Sequence, residues 1–452
     1  MASSFLDREH TIAPPGYNRY LVPPAALAVH LCIGQVYAFS TFNLPLTKLL
    51  GVTQSAPGDW NLKELGWIFS IAIAILGISA AAFGRWVENV GPRKSMFTAA
   101  LCFSGGFLVS ALGIHWHQLW LLYLGYGVLG GCGLGIGYIS PVSTLIKWFP
   151  DRPGMATGMA IMGFGGGALI AAPLSVILMA HFKTATSGGV LETFVTMGVI
   201  YFMFMMIGVY AVRVPAPDWK PAGWTPPTVP KSLVTTGNVA VDVAWRTPQF
   251  WLLWVVLCMN VTAGIGVLSQ ASPMIQEIFA GKVSPDAAAG FVGLLSLFNM
   301  AGRFFWASTS DYIGRRNTYM VFFLLGIVLY STVPTFGHLG SVGLFVTAFV
   351  IILSMYGGGF ATIPAYLRDI FGTMHVGAIH GRLLTAWSAA GVLGPVLINY
   401  IRAYQIEHGV PKAQSYSITM YIMCGLLVVG LICNFAMRAV DARRLYSGSA
   451  PS

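Results

Sequence analysis

Arg303 stands where charge is hardest to keep, inside the apolar run 288–310. A guanidinium there is costly unless it faces water or a partner. The glutamates within apolar runs, Glu64, Glu192 and Glu277, stand within three residues of a run's end, so no aspartate or glutamate is expected deep inside to neutralise it, and the simplest partner is an anion from outside. Carboxylate geometry suits the arginine fork, which gives two parallel N–H bonds. The structural alternative is a local bond to backbone carbonyls or to Asn299, four residues earlier on the same helical face. Tyr37, Tyr138, Tyr356, Phe360 and Trp387 lie in other apolar runs, and the i, i+4 spacing of Tyr356 and Phe360 puts them on one helix face. Aromatic walls exclude water and limit ligand size, and tyrosine hydroxyls donate to carboxylates. Packing against helices or lipid is the competing role for each. Gln35, Asn260, Gln270 and Asn299 are further polar candidates, with helix–helix bonding as their competing role. His30 is the ionisable group of intermediate pKa well inside a run. It is the candidate for proton coupling, against a plain packing role.

The elements that must position these groups follow from composition. Of 452 residues, 56% are hydrophobic and 9% charged, against roughly 25% charged in soluble proteins. That excludes an ordinary soluble domain. Apolar runs at 22–47, 63–84, 95–114, 118–146, 153–181, 190–213, 248–279, 288–310, 317–336, 341–368, 375–402 and 416–438 predict an all-α membrane protein of twelve transmembrane helices. The break at 214–247 holds Pro215, Pro217, Pro221, Pro226, Pro227 and Pro230, as a linker would. The expected organisation is an N-terminal segment 1–21, six helices in 22–213, the linker 214–247, six helices in 248–438 and a tail 439–452. Residues 1–20 lack the basic start and cleavage site of a signal peptide, so the first run is read as a span.

An even number of spans puts both termini on one side. The basic residues concentrate on that side, which makes it cytoplasmic in a multi-pass protein of the inner membrane. The net charge of +10 is then a property of loops, and no nucleic-acid partner is expected. Cys32, Cys102, Cys132, Cys258, Cys424 and Cys433 show neither paired nor ligand spacing. No metal and no cofactor are expected, and His115, His117, His375 and His380 read as loop residues. The glycine-rich stretches Gly125 to Gly137 and Gly163 to Gly167 suit close helix packing, and with no G-K-[ST] following they are not nucleotide loops.

The chain is duplicated. Gly84 to Lys94 matches Ala307 to Asn317 at an offset of 223, which relates Glu88 to Asp311, Gly91 to Gly314 and Arg93 to Arg316. The same offset relates Pro141 to Pro364, Gly154 to Gly377 and Gly158 to Gly381. Agreement across three regions indicates two related six-helix bundles, the arrangement that places a ligand near the midplane. In each loop the acid can accept from helix N-termini and basic side chains, and the glycine permits a tight turn.

The tract G-x-x-x-[DE]-x-x-G-x-[RK]-[RK] at Gly84 to Lys94, with its repeat, resembles the cytoplasmic loop motif of the major facilitator superfamily. Gly34-Gln35-Val36-Tyr37-Ala38-Phe39-Ser40-Thr41-Phe42, Asn299-Met300-Ala301-Gly302-Arg303 with Ser310-Asp311, and Leu384-Thr385-Ala386-Trp387 resemble the oxalate/formate antiporter family, a relative of the monocarboxylate transporters. The resemblance implies a secondary transporter working by alternating access, with Gly84, Glu88, Gly91, Arg93, Asp311, Gly314 and Arg316 gating the cytoplasmic side. It implies that helices 1, 4, 10 and 11 line the cavity and that Arg303 binds the substrate carboxylate. Two departures matter. Trp387 stands where the oxalate exchanger has a second cation, a lysine, which favours a monocarboxylate such as formate, lactate or pyruvate over oxalate. Asn299 stands where the proton-coupled transporters have an aspartate, which leaves anion exchange open. The expected partners are the small organic anion, a proton or counter-anion, and membrane lipid, with the chain a monomer and not an enzyme. The alternatives are an oxalate/formate-type exchanger and a non-transporting sensor of the same fold.

Overall fold

The computed structural model describes residues 4–217, 219–225, 233–235 and 237–444. The linker prolines Pro226, Pro227 and Pro230 therefore lie outside the described residues. Twelve long helical segments are present: α1 (Val22–Ile33), α2 (Leu62–Val90), α3 (Pro92–His115), α4 (Leu119–Trp148), α5 (Pro153–Phe182), α6 (Val190–Ala211), α7 (Pro248–Ile278), α8 (Pro285–Ile313), α9 (Arg315–His338), α10 (Val342–Phe371), α11 (Val376–Glu407) and α12 (Ser417–Phe435). Eleven stretches of the described residues are long and apolar enough to cross a membrane, and α8, with 29 residues, completes the twelve. Among the described residues no strand forms beyond a single bridge between Ile12 and Val214.

Local sequence sets the helix ends. Asn61 and Glu64 form a reciprocal capping box that starts α2, and Thr247 and Ser284 accept the amides of Phe250 and Ala287 to start α7 and α8. Helix α1 continues into tight three-residue turns over Gly34–Phe42, and α4 widens over Tyr123–Gly130. Helices α2 and α3 are joined by Gly91 alone, at φ +83°, and α8 and α9 by Gly314 alone, at φ +88°. Side chains rarely take that conformation. Nothing lies within 4 Å of a Cβ built on Gly314, so Gly314→Ala isolates the backbone strain. It is expected to destabilise by about 1–3 kcal/mol, read as a lower Tm of the purified protein. An unchanged Tm would show that the turn does not depend on glycine.

The helices run further than the apolar runs suggest. Glu88 and Asp311 fall in the last turns of α2 and α8, since no breaker precedes Gly91 or Gly314. The glutamates at the ends of the apolar runs are helical too. Glu64 and Glu192 lie in first turns, where the helix dipole favours them. Glu277, near the end of α7, accepts from Arg402 Nε at 3.0 Å and from Tyr416 at 2.6 Å. Bases other than Arg303 also lie within predicted spans: Arg382 is in the opening turns of α11 and Arg402 near its end.

Two compact units form, and each takes a short piece of the other sequence half. Unit one comprises Met1–Asp151, Met159–Trp224 and Gly377–Thr385. Unit two comprises Arg152–Gly158, Thr225–Val376 and Ala386–Ser452. In unit one, α3 and α4 approach through glycine: a Cβ on Gly106 would stand 2.6 Å from the Gly125 carbonyl. That contact is the close packing expected of the glycine-rich stretch. In unit two, the Thr235 and Val239 amides bond the Asp369 and Phe371 carbonyls at 2.8 and 2.9 Å, fixing the end of the linker to α10.

Candidate functional site

Five of the residues singled out in the sequence come together in unit two. Arg303, on α8, is fully buried, and its Nε donates to Asn299 Oδ1 at 3.2 Å one turn earlier. The amide orients the guanidinium while adding no charge. The Arg303 Cζ lies over the ring of Phe360 of α10, 5.4 Å from its centroid, within reach of a cation–π contact. The Phe360 ring meets Tyr356 at 5.2 Å, edge on, and Trp387 of α11 at 4.4 Å. All three aromatics are buried. The i, i+4 spacing on α10 and the one-turn spacing on α8 produce this cluster. Its chemistry is a forked cation in a dry aromatic surround, where electrostatic contacts gain strength.

Of the remaining candidates, Asn260 and Gln270 lie on α7 in unit two, while Tyr37, Tyr138, Gln35 and His30 belong to unit one. Tyr37 and Tyr138 share one edge-on partner, Phe164 of α5, at 5.1 and 5.4 Å. His30 stacks on Tyr138 at 5.3 Å, and its Nε2 lies 3.1 Å from the Tyr138 carbonyl oxygen. Gln35 turns elsewhere: its Oε1 accepts from Tyr126 at 2.7 Å, inside a cluster with Phe39 and Phe107. Phe164 and Tyr126 carried no signal in the sequence beyond being aromatic. His380 was read as a loop residue. The structure places it within α11, where helix begins at Val376, 1% exposed and 5.8 Å from the Tyr138 ring. Of the other three histidines, His115 ends α3 and His375 lies in a turn, while His117 stacks on Trp60 at 4.5 Å.

The duplicated loops form two latches, one in each unit. In unit one, Glu88 Oε1 accepts the Gly377 amide at the start of α11 at 3.0 Å, and Oε2 accepts from Lys147 at 2.8 Å. In unit two, Asp311 accepts the Gly154 and Met155 amides at the start of α5 at 2.9 and 2.8 Å, and pairs with Arg315 at 2.5 Å. Gly154 and Gly377 are themselves related by the offset of 223, so each acid binds the same helix start in the opposite sequence half. An acid at a helix N-terminus gains from both hydrogen bonding and the dipole. Side chains are excluded where these helices meet. A Cβ on Gly84 would stand 2.8 Å from Ala378 Cα, and one on Gly158 would stand 3.0 Å from the Arg303 carbonyl.

Arg93 and Arg316 serve otherwise. Arg93 donates to the Phe5 and Val209 carbonyls at 2.9 and 3.2 Å, and reaches Val212 at 3.5 Å. Arg316 donates to the Phe435 carbonyl at 2.7 Å. Val212 and Phe435 again differ by 223. Both arginines thus cap the carbonyl ends of α6 and α12, while Lys147 and Arg315, unremarked in the sequence, hold the acids.

Comparison with known proteins accords with this architecture. The Major Facilitator Superfamily model matches residues 25–395. The chain is 27% identical over 371 residues to the oxalate:formate antiporter of Oxalobacter formigenes, covering 82% of this chain and 81% of that one. It is 22% identical over 436 residues to apicoplast pyruvate carrier 1 of Toxoplasma gondii, covering 78% of each. Among solved structures it superposes on the proton:xylose symporter XylE with a TM-score of 0.66 at 15% identity, over 92% of this chain and 95% of the other. With twelve long helices, a duplicated glycine-hinged loop and a family match over most of its length, the chain belongs to the Major Facilitator Superfamily.

Proposed function

We propose that this protein is a secondary transporter that moves a small monocarboxylate such as formate, lactate or pyruvate across the inner membrane by alternating access. Its termini face the cytoplasm, and Arg303 binds the carboxylate. The observation that carries the reading is the buried Arg303 guanidinium, oriented by the neutral Asn299 and walled by Phe360, Tyr356 and Trp387. One forked cation matches one carboxylate. Similarity to an oxalate:formate antiporter and to a pyruvate carrier supports a carboxylate as cargo.

The test is counterflow of labelled formate, lactate and pyruvate in proteoliposomes holding the purified chain. Flux of at least one is expected; exchange of oxalate alone would overturn the monocarboxylate reading, and binding without flux would make the protein a sensor. The oxalate/formate-type exchanger is the second reading, favoured by the 27% identity to that antiporter. Trp387 distinguishes them. Trp387→Lys adds a second cation beside Phe360, and the ratio of oxalate to formate counterflow is expected to rise by about tenfold, the size of one charged contact. An unchanged ratio would show that this position does not choose between one carboxylate and two.

A further inference from the structure

The internal repeat departs inside unit one at His380. The offset of 223 relates His380 to Thr157 and Tyr138 to Ala361. In unit two, the Thr157 hydroxyl donates to the Ala361 carbonyl of α10 at 2.6 Å. In unit one, the corresponding carbonyl, that of Tyr138, is engaged by His30 Nε2 at 3.1 Å. His380 occupies the threonine's place with its ring against Tyr138, and neither of its ring nitrogens has a hydrogen-bond partner among the described residues. A buried polar group left so is costly and calls for an explanation. Nothing in the cluster around Arg303 uses this imidazole.

Its position supplies the explanation. His380 lies one turn beyond Gly377, whose amide Glu88 holds, and beside Gly381, whose close neighbour is the Ala80 carbonyl of α2. The imidazole therefore rides on the segment that the unit-one latch secures. The groups facing this segment are His30 and Tyr138 from α1 and α4, Glu88 from α2, and Lys147 from α4, which is paired with Glu88. Arg382 lies on the same helix, and His375 precedes it.

We propose that His380, with His30 stacked on the other side of this contact through Tyr138, is a proton-binding site of this chain, and that its proton is exchanged when the latch moves. A cation gains hydration on leaving a dry seat, so a proton on His380 and an open latch stabilise each other, and the coupling is reciprocal. The inference rests on the transporter reading only in making the proton a coupling or regulatory ion. The site itself belongs to the latch.

Hydrogen exchange of the full chain in lipid nanodiscs tests this without any substrate. After correction for the intrinsic rate, amides in Gly377–Thr385 are expected to exchange about tenfold faster at pH 5.5 than at pH 7.5, which is what one proton taken up by an imidazole of ordinary pKa in the open state gives. His380→Gln should remove that difference, and Glu88→Gln should speed exchange at both pH values, showing that the probe sees the latch. Exchange of the unaltered protein that does not depend on pH overturns the proposal, and this arm needs no variant to fold. Full pH dependence in His380→Gln overturns it as well. Counterflow of labelled formate and lactate on the same preparation separates the two readings, because absent flux with pH-dependent exchange refutes the cargo and leaves the proton site standing.

Discussion

Arg303→Lys is expected to reduce carboxylate counterflow at least about thirtyfold, with the loss appearing in kcat/KM. Lysine keeps the charge and roughly the reach, so the substitution tests geometry. The guanidinium presents a planar fork fixed at Nε by Asn299 and flanked by the Phe360 face. An ammonium retains neither the paired N–H bonds to a carboxylate nor the bond that orients the group. Losing one charged hydrogen bond of about 2 kcal/mol corresponds to about thirtyfold in binding. A thermal-shift titration with formate and lactate on the same variant separates lost binding from misfolding. Counterflow equal to that of the unaltered protein would refute the site.

Asp311→Asn is expected to give the second large effect, by loosening the latch of unit two. Asp311 accepts two amides at the start of α5 and holds Arg315, whose Nε lies 3.4 Å from Asp369. The amide side chain keeps the shape but loses the charge that both the helix dipole and the arginine favour. A loss of about 1.5–3 kcal/mol moves the closed-to-open ratio by about tenfold or more. Thr157, fully buried two residues beyond Met155, reports the change. In a background lacking the native cysteines, Thr157→Cys should react with a small maleimide about tenfold faster when Asp311→Asn is also present. Equal rates would show that the carboxylate charge does not hold the latch.

The two latches are not equivalent, and the sequence explains part of the difference. At the position related to Arg315 the first half has Pro92, so Glu88 draws its base from Lys147 on α4 instead. The offset of 223 already made Glu88 equivalent to Asp311 and Gly377 to Gly154. It did not say that Glu88 would meet Gly377 and Asp311 would meet Gly154, because a repeat states equivalence and carries no information about contact. Arg93 and Arg316 illustrate the same limit. Their place beside an acidic loop suggests pairing with the acids, yet each turns to the carbonyl end of a neighbouring helix.

Much of the cluster around Arg303 was legible. Asn299 and Arg303 are one turn apart, as are Tyr356 and Phe360, and helical spacing alone puts each pair on one face. Gln35 was less legible, since its bond to Tyr126 crosses from the turns after α1 to α4. His380 was misread as a loop residue although the apolar run 375–402 already held it, because His375, Gly377 and Gly381 around it have the composition of a loop. Helix nevertheless starts at Val376, and those glycines are there for close approach to α2 and Glu88.

By itself the sequence determined the number of helices, their duplication, the single-glycine turns at Gly91 and Gly314, and an arginine within an apolar run. Hydropathy, periodicity and backbone freedom act along the chain and are recorded there. Only the tertiary structure decided that Gly377–Thr385 joins unit one and Arg152–Gly158 joins unit two, which helix start each acid holds, and that His380 is buried beside Tyr138. Those outcomes depend on which side chains can approach across space, and close approach is set by the packing of whole helices.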